Sequence, residues 1–394
     1  MASPVDTSVK HYRSDMPGAP VVNGVAGSRI AQLEACLCTG YGLKSATSLV
    51  VSGGIATLTF AGGASAAWAR SVILVAGVTG AMTDLNGEQK VTFADATTVK
   101  FATALADGTA AGTITFKIAP AGWEKVYSKT NVAVFRSLDA RSSKMLLRVD
   151  DTSTTTPRVV GYETMTDVDT GYGAFPTSAQ MSGGGYWQKS DTADSTPNAW
   201  FIASDGLFII DSIAPGYWRG ATYQNCATRG FGDPIVKNPA GDPYACFLAF
   251  STAASQTDVS TGVLEYNTVQ LMAFARSYAG IGSCLLGRRG PYVGSTSVSG
   301  QEAAMGVFPS VIDGGLILGR VFLMEAISGT PPRADVPGLL VCPQSGTHTY
   351  FNLFDTVVVG GRTCIALRPT TGGSTTALSA STGVSFVDVD GPWR

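Results

Sequence analysis

The reading turns on GIATLTFAGG (54–63), VILVAGVTGAMTDLNGEQKVTFADATTVKFA (72–102) and GTITFKI (112–118). Apolar and Thr-rich runs over Ile55–Phe60, Val72–Val75, Gln89–Phe93, Thr98–Phe101 and Gly112–Ile118 each predict a short strand. Ala56, Leu58 and Phe60 alternate with Ile55, Thr57 and Thr59, and Ile114, Phe116 and Ile118 alternate with Thr113, Thr115 and Lys117. A period of two with β-branched residues is the signature of a strand with one buried face. Asp84-Leu85-Asn86-Gly87 and Ala94-Asp95-Ala96 read as turns, because Asn-Gly supplies the positive φ a tight turn needs. Residues 54–118 are therefore expected to form a small antiparallel barrel or sandwich inserted in a host domain, with its two ends close together.

Outward from that module, residues 27–53 supply a helix and a strand of the host. Ser28–Thr39 is the best helical stretch: Ile30, Leu33 and Leu37 share a face, Ser28 can cap its start and Gly40 can end it. Residues 1–26 read as an extended arm, since Pro4, Pro17 and Pro20 with Gly18 and Gly24 forbid a helix. Residues 119–213 resume the host β-domain, and residues 214–394 form a C-terminal β-rich domain. The clearest hairpin is Asn198–Ala203 and Gly206–Ile213 about Ser204-Asp205-Gly206. Gly360-Gly361 suits a two-residue turn between Val357–Val359 and Arg362–Ile365. Gly315–Ile327 is a strand candidate, whereas 251–271 and 294–306 read as loops. The expected fold class is mainly β: a multidomain antiparallel β-sandwich/barrel protein with one short N-terminal helix.

Composition narrows the function. Of 394 residues, 14% are charged and 47 are glycine, and the net charge is −2. Ordinary domains carry about 25% charge, so burial of surface in an assembly is the expected way of staying dispersed. No basic stripe supports nucleic-acid binding. No run reaches the ~18 apolar residues of a membrane-spanning helix, and no apolar leader follows Met1, so the chain is expected in a cytoplasm, without membrane insertion. The seven cysteines are scattered and expected as buried reduced thiols. The one close pair, Cys36 and Cys38, lacks metal or redox spacing.

Catalytic signals are weak. His11 and His348 are the two histidines, neither beside a nucleophile motif, so no enzyme, cofactor or metal is expected. Asp150/Asp151 and Asp167/Asp169 read as turn residues, with a glycosidase pair or a calcium site as alternatives. The candidate interface residues are His11, Tyr12 and Arg13 in the arm, the aromatic-glycine patches at Tyr186-Trp187 and Tyr217-Trp218, and Trp393. Core filling and sugar stacking are the other readings of the aromatic patches. Arg288-Arg289 reads as a surface or inter-subunit doublet.

The stretch VILVAGVTGAMTDLNG (72–87) followed by VTFADATTVKF (91–101) resembles a small β-barrel of tailed-bacteriophage virion proteins. It is similar to the barrel of the first catalytic-cysteine half-domain of ubiquitin-activating enzymes. VKHYRSDMPGAP (9–20), APAGWEK (119–125), LRVDD (147–151), VGYETMTDVDTG (160–171) and DGPWR (390–394) resemble a family of tailed-phage structural proteins. The resemblance implies a virion subunit of tail or baseplate, assembled in the host bacterial cytoplasm, with no catalytic residues. Its partners would be other copies of itself and other virion proteins. The alternative is a receptor- or carbohydrate-binding virion protein engaging a host-surface glycan, and a polysaccharide depolymerase ranks behind both.

Overall fold

The computed structural model describes residues 3–214, 226–252, 272–290, 305–326, 330–368 and 384–394. The chain is mainly β, in several antiparallel sheets. Strands Tyr41–Ser52, Ile55–Phe60, Thr98–Ala102, Gly87–Ala94, Val72–Ala76 and Thr115–Ile118 pair in that order, and the last returns to the first. This closes a six-stranded barrel. Ala56, Leu58 and Phe60 point into it and Ile55 points out, as the alternation requires. The barrel starts at Tyr41 rather than Gly54. Its first strand is long and bulged, so one end pairs with Ile55–Phe60 and the other with Thr115–Ile118.

Two local expectations change. Asn86-Gly87 is not a tight hairpin turn: a 3-10 helix, Gly80–Leu85, precedes it, and the Asn86 side chain clamps Val78 N and Val78 O at 2.9 and 2.8 Å. Ser28 does not cap the helix. Gly27 stands at the N-cap with φ 85°, and the capping acceptor is the distant Asp151, whose Oδ2 receives Arg29 N at 2.8 Å. The helix is α over Ser28–Leu33 and π over Glu34–Thr39, and it ends at Gly40 as expected.

The barrel's two ends lie side by side. Tyr41 pairs with Ile118, and Lys117 Nζ donates to Thr39 O at 2.7 Å. Beyond them a five-stranded sheet runs in the order Gly185–Tyr186, Arg158–Tyr162, Leu146–Asp150, Val132–Ser137, Trp123–Lys129.

A thirteen-stranded sheet takes up most of the rest. Its path is Lys10–Arg13, Ala199–Ser204, Phe208–Ala214, Ala227–Gly232, Phe247–Ala249, Met272–Phe274, Leu285–Arg289, Gly319–Glu325, Ala334–Val341, Ser385–Asp388, Arg362–Leu367, Thr356–Val359. Ile235–Val236 joins it beside Ala334–Val341. The sheet crosses residues 213/214 without a break. The 204–206 and 360–361 turns fall where expected, the latter with φ of 57° and 78°. The strand candidate at 315–327 begins at Gly319.

The long sheet curls back on itself. Arg13 on the first strand donates to Phe354 O, just before the last strand, at 3.1 Å, and Cys226 N, beside the fourth strand, donates to Arg368 O, beside the last but one, at 2.7 Å. Phe201, Phe208, Phe247, Phe274, Leu323 and Val387 fill the inside of the curl. Trp200, Ile202, Ile209 and Phe231 belong to a second core, shared with the barrel and the five-stranded sheet. Residues 1–26, expected as an extended arm, thus contribute an edge strand to this chain's own sheet, which satisfies the otherwise unpaired backbone of Ala199–Ser204. Lys90 of the barrel ties both ends of the chain, its Nζ donating to Val389 O at 2.7 Å and Val9 O at 3.4 Å.

Candidate interaction surfaces

Two ion pairs lie in the interior about the helix. Arg29 bonds Asp211 and donates to Gln32 Oε1 at 2.5 Å. Asp151 binds Lys189 at 2.5 Å, and Lys189 also reaches Val25 O at 2.6 Å. Burial raises the Asp151 and Asp211 carboxyls, and burial lowers Lys189, with the opposite charges partly offsetting each shift. These groups fasten the helix to both sheets and face no solvent.

Most of the sequence-predicted site residues are committed inside the chain. His11 and Tyr12 are buried, the His11 ring on Phe201 and the Tyr12 hydroxyl on Ala119 O at 2.9 Å. Arg13 lies between Trp68 of the barrel and Phe354 of the far sheet edge, 5.0 and 4.9 Å from their rings. Trp187 is buried under Arg29 and donates to Ala249 O at 2.7 Å. Trp393 packs on Gly338 and donates to Asp388 O at 2.9 Å. Tyr186 is half-buried beneath Arg158, 3.8 Å from its ring. Side chains used in this way offer little to a neighbour. Tyr217 and Trp218 lie outside the described residues, as do most of the 251–271 and 294–306 loops.

The remaining polar candidates have local tasks. Asp167 Oδ1 closes a turn on Asp169 N and Thr170 N, both at 2.8 Å, and Asp169 pairs with Lys129 and Arg148. Asp150 Oδ1 accepts from Thr152 Oγ1 at 2.7 Å. His348 is buried in a 3-10 turn, where burial and then Arg368 lower its imidazole. All seven cysteines are free, six of them buried. Among the described residues no cluster of His, Cys, Asp or Glu could hold a metal, and no helix is long and apolar enough to cross a membrane.

Two surfaces stand out instead, at opposite rims of the curled sheet. At the rim where Gly319 begins its strand, the preceding loop presents Val311 and Ile312, which are 91% and 92% exposed. The loop is braced. Gly314 N bonds Ser310 O at 2.8 Å, and Gly315 N bonds Asp313 Oδ1 at 2.8 Å. Gln344 takes Ile317 N at 2.7 Å and donates to Gly315 O at 3.2 Å. Phe308 meets Tyr350 edge-on at 5.2 Å. The sequence carried a signal for this tip: an apolar pair wedged between Ser310 and the Asp313-Gly314-Gly315 turn.

At the other rim, where the same strand ends at Glu325, Arg333 anchors a cleft. It forks onto Asp242 at 2.7 and 3.0 Å, donates to Glu325 Oε1 at 3.2 Å, and stacks 4.5 Å from the Phe274 ring. A cavity of about 650 Å³ opens beside it, walled by Lys237, Asn238, Tyr278, Pro331 and Pro332. Lys237 and Arg320 both pair with the single carboxylate of Asp335, at 2.6 and 3.3 Å. Arg333 in turn is shared by the carboxylates of Asp242 and Glu325, so the three cations and three carboxylates of this neighbourhood balance. Nothing in the spacing of Asp242, Glu325 and Arg333 along the chain announced this cluster.

No known protein family matches the chain, and no curated protein matches its sequence.

Proposed function

We propose that the chain is a structural subunit of a tailed-phage virion, present in several copies and joining neighbouring rings or fibres of the tail, baseplate or neck. The observation that carries this reading is the braced loop holding Val311 and Ile312 almost wholly in water. Burying such a side chain is worth roughly 1.5–3 kcal/mol, and a turn with no packing role of its own gains nothing from two of them unless a partner covers them. The low charge content and the resemblance of the 9–20, 119–125 and 160–171 stretches to tailed-phage structural proteins point the same way. In this role the interior ion pairs hold the subunit rigid, and the loops at the rims make the contacts.

The test is antibody labelling of purified particles under the electron microscope. Regular labelling at one level of the tail, baseplate or neck is expected. Absence of the chain from purified particles would refute the proposal, and labelling confined to distal fibre tips would favour the receptor-binding alternative.

A further inference from the structure

We propose that the first strand, Lys10–Arg13, is an acid-released latch: a proton on His11 detaches it from Ala199–Ser204 while the rest of the chain stays folded. The strand is four residues long and stands at the edge of the thirteen-stranded sheet. Among the described strands it pairs with Ala199–Ser204 alone. Its side chains enter two interiors: Tyr12 joins the core shared with the barrel, and His11 lies inside the curl on Phe201. Beyond the ladder, its ties are single polar contacts. Lys90 holds Val9 O, Glu88 holds Lys10, the Tyr12 hydroxyl holds Ala119 O, and Arg13 holds Phe354 O. A terminal edge strand held in this way is the kind of element that opens on its own, ahead of the global transition.

The surroundings of His11 make that opening sensitive to acid. The side chain is 4% exposed, and its Nδ1 has no hydrogen-bond partner. The charges acting on it are cations, Lys90 of the barrel and Arg13 of its own strand. The carboxylates of the neighbourhood serve other groups. Glu88 pairs with Lys10, Asp15 with Arg13, Asp388 with Arg362 and Asp390 with Arg70, while Asp6 accepts from Ser8. A proton on the imidazole is thus buried beside two cations with no carboxylate of its own. Burial first, then these cations, hold His11 down at about 3. Swung out into water, the same imidazole titrates near 6.5. The open latch therefore binds one more proton than the closed one between about pH 3 and pH 6.5, and its population rises about tenfold per unit as pH falls through that window. Release bares the edge backbone of Ala199–Ser204.

The experiment is residue-resolved hydrogen exchange on the full chain at pH 7.5 and pH 5.0, each rate divided by that of an unstructured peptide at the same pH. Amides bridging Lys10–Arg13 and Ala199–Ser204 are expected to open about 30-fold more often at pH 5.0. At both pH values they should exchange faster than amides bridging Phe208–Ala214 and Ala227–Gly232, deeper in the same sheet. Their opening should barely respond to sub-denaturing urea, because it exposes little surface. In His11→Phe the opening of the latch should no longer depend on pH over this range. The wild-type profile tests the latch by itself, whether or not the variant folds. Latch amides that share the rate and urea dependence of the deeper strands overturn the proposal, since the strand would then leave only with the whole fold. Latch opening that does not change between the two pH values overturns it as well, as does an unaltered pH dependence in His11→Phe.

Discussion

Replacing His11 with Phe should remove much of the protein's acid sensitivity. His11 lies on the edge strand Lys10–Arg13, stacked on Phe201 with centroids 6.4 Å apart, and its Nδ1 has no hydrogen-bond partner. Burial, then Lys90 and Arg13, push its pKa down to about 3. In the unfolded chain the imidazole titrates near 6.5. The unfolded state therefore binds more protons between about pH 3 and pH 6.5. The neutral ring's contribution to stability is complete above about 6.5 and is lost as pH falls through that window. At about pH 4.5, two units below the unfolded value, the loss is roughly 3 kcal/mol, at ~1.4 kcal/mol per unit. Phe keeps the stacked ring and does not titrate. Urea unfolding midpoints at pH 7.5 should differ little between wild type and His11→Phe, and at pH 4.5 the variant should have gained roughly 3 kcal/mol on wild type. Parallel pH profiles for the two proteins would refute the reasoning, as would an imidazole in the folded protein that titrates near 6.5.

Lys189→Met leaves the Asp151 carboxylate buried without its cation, and chemical denaturation should show a loss of roughly 3–5 kcal/mol. Adding Asp151→Leu should recover only part of this, because Asp151 also caps the helix at Arg29 N. Gly338 has φ 69°, and a β-carbon there would sit 2.0 Å from the Trp393 ring. Gly338→Ala should therefore cost roughly 3 kcal/mol and red-shift tryptophan emission. A disulfide-exchange reagent at neutral pH should label the native protein slowly and seven thiols after denaturation: six are buried, and burial pushes the half-exposed Cys38 up to about 12. Excising the barrel between Gly40 and Ala119 with a short Gly linker should leave a remainder that unfolds cooperatively at a lower midpoint, because the barrel's interior belongs to a core shared with Trp123, Leu147 and Trp200. Loss of the cooperative transition would show that the host cannot fold without it.

The fold was legible wherever a strand and its partner are close in sequence. The barrel strands after 54, the hairpin about Asp205 and the Gly360-Gly361 turn follow from alternation and turn chemistry alone. A strand was expected within 27–53, but its full extent, Tyr41–Ser52, and its place in the barrel were hidden because bulges break its period and because Leu43 faces water. Lys10–Arg13 was hidden because its partner lies at 199–204 and because a histidine and a lysine there are buried. The same limit governs the candidate surfaces. Turn chemistry marked 313–315, but whether Val311 and Ile312 face inward depends on Gln344 and Tyr350, which the chain brings in later. The Arg333 cluster draws on residues from 237 to 335, a span over which periodicity carries no information.

The Lys90 tether also bears on the order of events during synthesis. The barrel is built from local pairings, so it can close soon after residue 118 is made. The strand Lys10–Arg13 must wait for residues 199–204, on the order of ten seconds or more at ribosomal rates. Over that interval Val9 and Tyr12 would be a sticky edge on a nascent chain. In the folded chain Lys90 reaches Val9 O, and Glu88 pairs with Lys10 at 3.0 Å, and both groups belong to the barrel that closes first. The early-folding module can thus shelter the first strand until its sheet arrives, in the manner of a built-in chaperone.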